Sequence, residues 1–175
     1  MKILNLEMKN IFYQGPSFKI LHNKYAKNGL LDPKASVKSS SQIVINESIN
    51  KVWNIVINIT DWSSFCPGFS KIKSLDGVKT DASFSFSLNN SPINAKFAVI
   101  RENSELSWTG MSLWAKAIDR ITLYSQDDNK TLVILEESFS GVFMSLFISD
   151  KKLKIQHDKW LNAIKSKVEK GEKIE

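Results

Sequence analysis

Cysteine, arginine and histidine are scarce in this chain of 175 residues, and each scarcity excludes a class of function. The single cysteine, Cys66, has no partner for an internal disulfide, and with only His22 and His157 besides it makes no recognisable zinc constellation, so no metal site is expected. The net charge of +6 is carried almost wholly by lysine, with Arg101 and Arg120 the two arginines. Phosphate and guanine recognition favours the planar guanidinium fork. The lysines are also spread along the chain and densest near its end, which reads as solvated surface, and no nucleic-acid partner is expected. No stretch approaches the roughly 18 consecutive apolar residues of a spanning helix, so no integral membrane association is expected. Lys2, Asn5, Glu7, Lys9 and Asn10 interrupt the first ten residues, which therefore lack the apolar core of a signal peptide. A cytoplasmic location is the expectation. No glycine-rich phosphate loop opens a helix and no nucleophile elbow surrounds Ser64 or Cys66, so no cofactor is expected, and Cys66 beside Pro67 reads as a packed thiol.

What is present is the material of one globular domain: 42% hydrophobic and 24% charged residues, enough to bury a core at this length. Residues 1–36 lack sustained periodicity and are punctuated by Gly15-Pro16 and Asp32-Pro33; they read as an N-terminal arm preceding a domain over 37–172. The β-branched run Gln42–Ile45 predicts a strand, and Asn46-Glu47-Ser48 supplies capping chemistry for a helix whose buried face is Ile49, Val52, Trp53, Val56 and Ile59. Thr60 or Asp61 caps a second short helix, Trp62–Cys66, ended by Pro67-Gly68. Alternation then puts Phe84, Phe86 and Leu88 on one face of a strand. After the turn Asn89–Pro92, it puts Ile93, Ala95, Phe97 and Val99 on one face of the next. Strands continue at 106–109, 115–124 and 131–139, the last two separated by Asp127-Asp128-Asn129. The final segment returns to helical period, with Leu153, Trp160, Leu161, Ile164 and Val168 on one stripe and Lys151, Lys152, Lys159, Lys165 and Lys167 off it. The predicted order is strand, two short helices, six-strand meander and long helix, an α+β arrangement.

Several local motifs, in this order, resemble the SRPBCC superfamily, which includes START lipid-binding domains and polyketide cyclase/dehydrase proteins. They are Ile43–Asn46 with Lys51-Val52-Trp53, Ile59–Trp62 before Pro67-Gly68, Leu106–Gly110, Glu136–Gly141, and Trp160-Leu161 before Lys167-Val168-Glu169. The resemblance implies a helix-grip fold: a curved antiparallel sheet of about seven strands wrapped around a long C-terminal helix, with a hydrophobic cavity between them. Bacterial cyclase-like members often carry histidine where this chain has Asp119, a departure that bears on any proton-transfer role.

Ten aromatics are candidates for that cavity: Trp62, Phe65, Phe84, Phe86, Phe97, Trp108, Trp114, Phe139, Phe143 and Phe147. The alternative for each is plain core packing. Asp119 shares strand parity with Ala117, Ile121 and Leu123, and Glu137 with Val133, Leu135 and Phe139, so period two aims both acids inward. Paired in an apolar pocket, they would acquire raised pKa values suited to general acid or base work. The plainer expectation is that Arg120 or a lysine pairs with one acid at a solvated edge while the other faces water. Three functions follow in order: binding of a lipid, polyketide or aromatic metabolite; a cyclase or dehydratase using Asp119, Glu137 or Tyr124; and a protein-interaction module acting through the arm or the basic surface.

Overall fold

The computed structural model describes residues 11–74, 76–126 and 129–170. The first ten residues and the Asp127-Asp128 part of the last hairpin connection lie outside the described residues. Seven strands form one antiparallel sheet: β1 (Val37–Ile45), β2 (Phe69–Ser74), β3 (Ser83–Leu88), β4 (Ser91–Arg101), β5 (Glu105–Ser112), β6 (Ala115–Gln126) and β7 (Lys130–Ser140). Their order is β1-β7-β6-β5-β4-β3-β2, so β2 to β7 run as a meander and β1 returns to the β7 edge. Two short helices, α1 (Ile49–Ile57) and α2 (Trp62–Phe65), follow β1; α3 (Met144–Phe147) and the long α4 (Asp150–Lys170) follow β7.

The local chemistry explains most of these boundaries. Asn89 and Asn90 take left-handed φ values of 48° and 69°, the two-residue turn that matches sheet twist, so β4 resumes at Ser91 rather than after Pro92. Register shifts between Ser70 and Lys73 and between Phe97 and Val99 bend the sheet. The first also breaks the alternation of β2, for which the sequence offers no clear period. One expectation is corrected: Ser48 stands at the start of α1, but its side chain makes no capping hydrogen bond. Its carbonyl instead accepts from the Val52 amide at 3.1 Å.

The two faces of the sheet are covered differently. On the inner face, Phe97, Leu106, Ile121, Val133 and Leu135 are buried in one core with Leu161, Ile164 and Val168 of α4. Each such side chain contributes roughly 1.5–3 kcal/mol by leaving water. On the outer face, Leu21 and Ala26 pack against Ala98 and Ile118. Leu21 and Ala26 belong to consecutive helical turns over Phe18–Ile20, Leu21–Tyr25 and Ala26–Asn28.

Polar contacts hold this outer segment as well. His22 bonds Thr109 Oγ1 through Nδ1 at 2.6 Å and Asp81 Oδ1 through Nε2 at 3.0 Å. The buried Asp32 carboxylate accepts from Tyr13 and Ser140, each at 3.1 Å. Gly15, at φ 73°, passes so close to Ser140 that an added Cβ would come within 2.8 Å of its Cβ. No described helix is long and apolar enough to cross a membrane.

Candidate functional site

Strand register builds the site row by row on the inner face. Leu135, Ile121 and Leu106 stand side by side on β7, β6 and β5, and the core closes over them. Two residues further along, the same strands present Glu137, Asp119 and Trp108, with Ser39 of β1 beside Glu137. Two residues further again come Phe139, Ala117 and Gly110. Ala117 and Gly110 carry little or no side chain there. A cavity of about 540 Å³ opens over this third row, lined by Gly110, Ala115 and Ala117 on the sheet and by Leu153, Gln156 and Trp160 on the helix. A Cβ added to Gly110 would already stand 3.3 Å from Ile93, so this sheet position has little spare room even for a methyl group.

Asp119, Glu137 and Trp108 form the inner end of the cavity. Both acids are nearly buried, each 7% exposed. His157 reaches them from α4, fully buried, with Nε2 2.9 Å from Glu137 Oε2. Burial raises the Asp119 carboxyl well above its usual range, and the neighbouring Glu137 raises it further; His157 and the nearby Trp108 indole oppose this more weakly. Burial also pushes Glu137 up to about 7, against the hydrogen bond it shares with Asp119. His157 is held below its usual value, again mainly by burial. Burial thus favours the uncharged form of all three groups, Asp119, Glu137 and His157. Three buried polar atoms around the row have no completed hydrogen bond: Trp108 Nε1, Ser39 Oγ and His157 Nδ1.

One ligand atom from each of Asp119, Glu137 and His157 lies within 4.8 Å of the others, a spacing a divalent ion would accept. A metal-bound histidine ordinarily passes its second ring N–H to an acceptor, and His157 Nδ1 has none. The donor set fits a shared proton better than a metal.

The sequence-derived candidates are distributed unevenly. Phe86, Trp108 and Phe139 line the cavity wall, and Trp114 and Phe147 stand at its mouth, 52% and 65% exposed. Trp62, Phe84 and Phe97 lie in the packed core instead, where Phe84 stacks on Phe97 and both Trp62 and Phe84 meet Trp108 edge-on. Phe65 is half-buried beneath the Lys167 ammonium, and Phe143 is half-exposed against Phe12. Tyr124 has outward parity and is exposed. Arg120 pairs with Glu105 at 2.9 Å and Glu136 at 3.2 Å on the outer face, so the expected pairing of Asp119 or Glu137 with Arg120 is corrected. Alternation carries Arg120 away from its neighbour Asp119. Cys66 is buried, which pushes its thiol up to about 12. His157 was not among the candidates. Its signal was its position on the buried stripe of α4, four residues after Leu153 and three before Trp160.

No protein-family model and no curated protein matches the sequence. Solved structures do. A hypothetical protein, jhp0584, of Helicobacter pylori superposes at TM-score 0.70 with 16% identity, over 78% of this chain and 90% of that one. A START superfamily protein of Mycobacterium smegmatis gives 0.65 with 13% identity, over 76% and 97%. The Zhui aromatase/cyclase of Streptomyces sp. R1128 gives 0.59 with 9% identity, over 76% and 93%. With the curved seven-strand sheet and closing C-terminal helix, these likenesses identify the fold of the chain as the START-like, SRPBCC-type helix-grip fold.

Proposed function

We propose that this chain binds an apolar or amphipathic small molecule, of lipid, polyketide or aromatic type, in the cavity between sheet and α4. The observation that carries the reading is an open, largely apolar cavity of about 540 Å³ that ends on a buried carboxyl pair. Apolar pockets with a few convergent polar groups are the usual form of small-molecule sites. The likeness to an aromatase/cyclase and to a START superfamily protein supports the same class of ligand. Burying about 300 Å² of apolar ligand surface would contribute roughly 7 kcal/mol before the costs of association.

Native mass spectrometry of the purified chain, followed by solvent extraction, tests this. A stoichiometric apolar molecule is expected on the parent and none on Ala117→Phe, whose ring would occupy the space. An empty parent that also ignores a neutral dye such as Nile red would contradict the reading.

A second reading, proton-transfer chemistry of cyclase or dehydratase type, is favoured by one observation: Glu137 is held at about 7, where a carboxylate serves as a general base. If it holds, the molecule extracted from Glu137→Gln differs covalently from that of the parent. The same compound on both leaves binding alone.

A further inference from the structure

We infer that the polar end of the bound molecule is a neutral oxygen, a carbonyl or hydroxyl, seated against Trp108 and Asp119, and that carboxylate-ended molecules are disfavoured; this rests on the cavity being the binding site. Trp108 Nε1 is a donor and nothing else, it is buried, and its approach to the Asp119 carboxyl, close enough to hold that group's pKa down a little, falls short of a completed hydrogen bond. It stands beside Asp119 in the cavity's inner row and shares that wall. A buried donor without an acceptor costs about 1–3 kcal/mol, and an arriving oxygen removes that cost.

The surroundings then decide which oxygen. Among the described residues lining the cavity there is no lysine, arginine or histidine, while Asp119 and Glu137 both are there. His157, the basic side chain beside the pair, already faces Glu137 through Nε2. A ligand carboxylate would therefore enter a low-dielectric space that already holds two acids and offers no cation in reach. An alkylammonium would find acceptors in the acids but leave the indole N–H unsatisfied. A ketone accepts from Trp108 Nε1. A hydroxyl does the same and also donates to a carboxyl oxygen of the pair.

Displacement of Nile red from the full chain by 2-decanone, 1-decanol, decanoate and decylamine at pH 8 is the test. The ketone and alcohol should displace the dye at concentrations about tenfold or more below decanoate, the scale of one hydrogen bond to a buried group. In Trp108→Phe, the ratio of ketone to decanoate affinity should shrink about fivefold, a quantity from which any general loss of packing cancels. In Glu137→Gln, which keeps the shape and removes the charge, decanoate should gain on the ketone. Decanoate binding as tightly as the ketone, decylamine binding tightest, or an unchanged ratio in both variants would each overturn the inference while leaving the cavity as the site. Failure of Nile red and of all four compounds to bind would overturn the cavity reading and this inference with it.

Discussion

The space between the sheet and α4 divides into two halves that use the same strands and the same helix in opposite ways. In one half, Leu106, Ile121, Val133 and Leu135 meet Leu161, Ile164 and Val168, and the gap is filled. In the other, Gly110, Ala115 and Ala117 face Leu153 and Gln156, and the gap stays open. The difference is side-chain volume. Gly110, Ala115 and Ala117 border the cavity, whereas leucine-sized chains fill the other half. Between the halves runs the one polar row, Ser39, Glu137, Asp119 and Trp108, with His157 over it. The open cavity beside this row offers its unpartnered atoms something to meet.

The comparison is most sharply tested by shortening a side chain in each half. Leu161→Ala, in the filled half, should cost 2–5 kcal/mol in chemical denaturation, the usual loss for emptying a packed site. Leu153→Ala, beside the cavity, should cost well under half of that, because its neighbours already border open space. Equal losses would mean the two halves are packed alike.

The boundary row makes the next prediction, smaller and dependent on pH. Glu137 titrates at about 7 in the folded chain against an ordinary 4.5. Between those values the folded state holds more proton than the unfolded, so this group's contribution to stability falls as pH rises, and it is flat above about 7. Asp119, also raised, acts in the same direction, whereas His157, lowered, favours the folded state as pH rises through its ordinary range. Glu137→Gln removes the first effect and relaxes the part of the Asp119 shift that Glu137 causes. Relative to the parent, it should gain stability steadily from pH 4.5 to 7.5, by roughly 2–3 kcal/mol, in denaturation curves at each pH. A constant difference would place Glu137 in water.

A smaller effect again is expected on the outer face. His22→Ala breaks the bonds to Thr109 and Asp81 and should cost about 1–2 kcal/mol, hastening tryptic cleavage at Lys19, Lys24 or Lys27. Dye binding in the cavity should be untouched. The smallest effect belongs to Tyr124→Phe, which should leave stability within about 0.5 kcal/mol and binding unchanged, since the phenol is exposed on the outward side of β6.

These contrasts also separate what the residues announced from what they did not. Strict alternation in Ser83–Leu88 and around Asp119 and Glu137 fixed faces, because a strand has only two, and the stripe Leu153–Val168 fixed the buried side of α4. Parity aimed the two acids inward but could not say that they stand opposite each other. That depends on the β6–β7 register, which strand parity by itself leaves open. Which aromatics border a void and which fill a core was likewise out of reach, since Phe84 and Phe86 share one strand face, yet only Phe86 lines the cavity. His157 was hidden for a related reason. A histidine on an apolar stripe acquires meaning only once its partner, Glu137, is known.

The most direct test of the cavity as the binding site is a titration of isotope-labelled protein with 2-decanone followed by NMR. The amides of Gly110, Ala117 and Asp119 and the indole N–H of Trp108 should shift together and saturate at one equivalent, while Leu135, Ile121 and the outer-face residues Ala98 and Ile118 stay still. Shifts concentrated on the outer face, or in the filled half, would contradict the account.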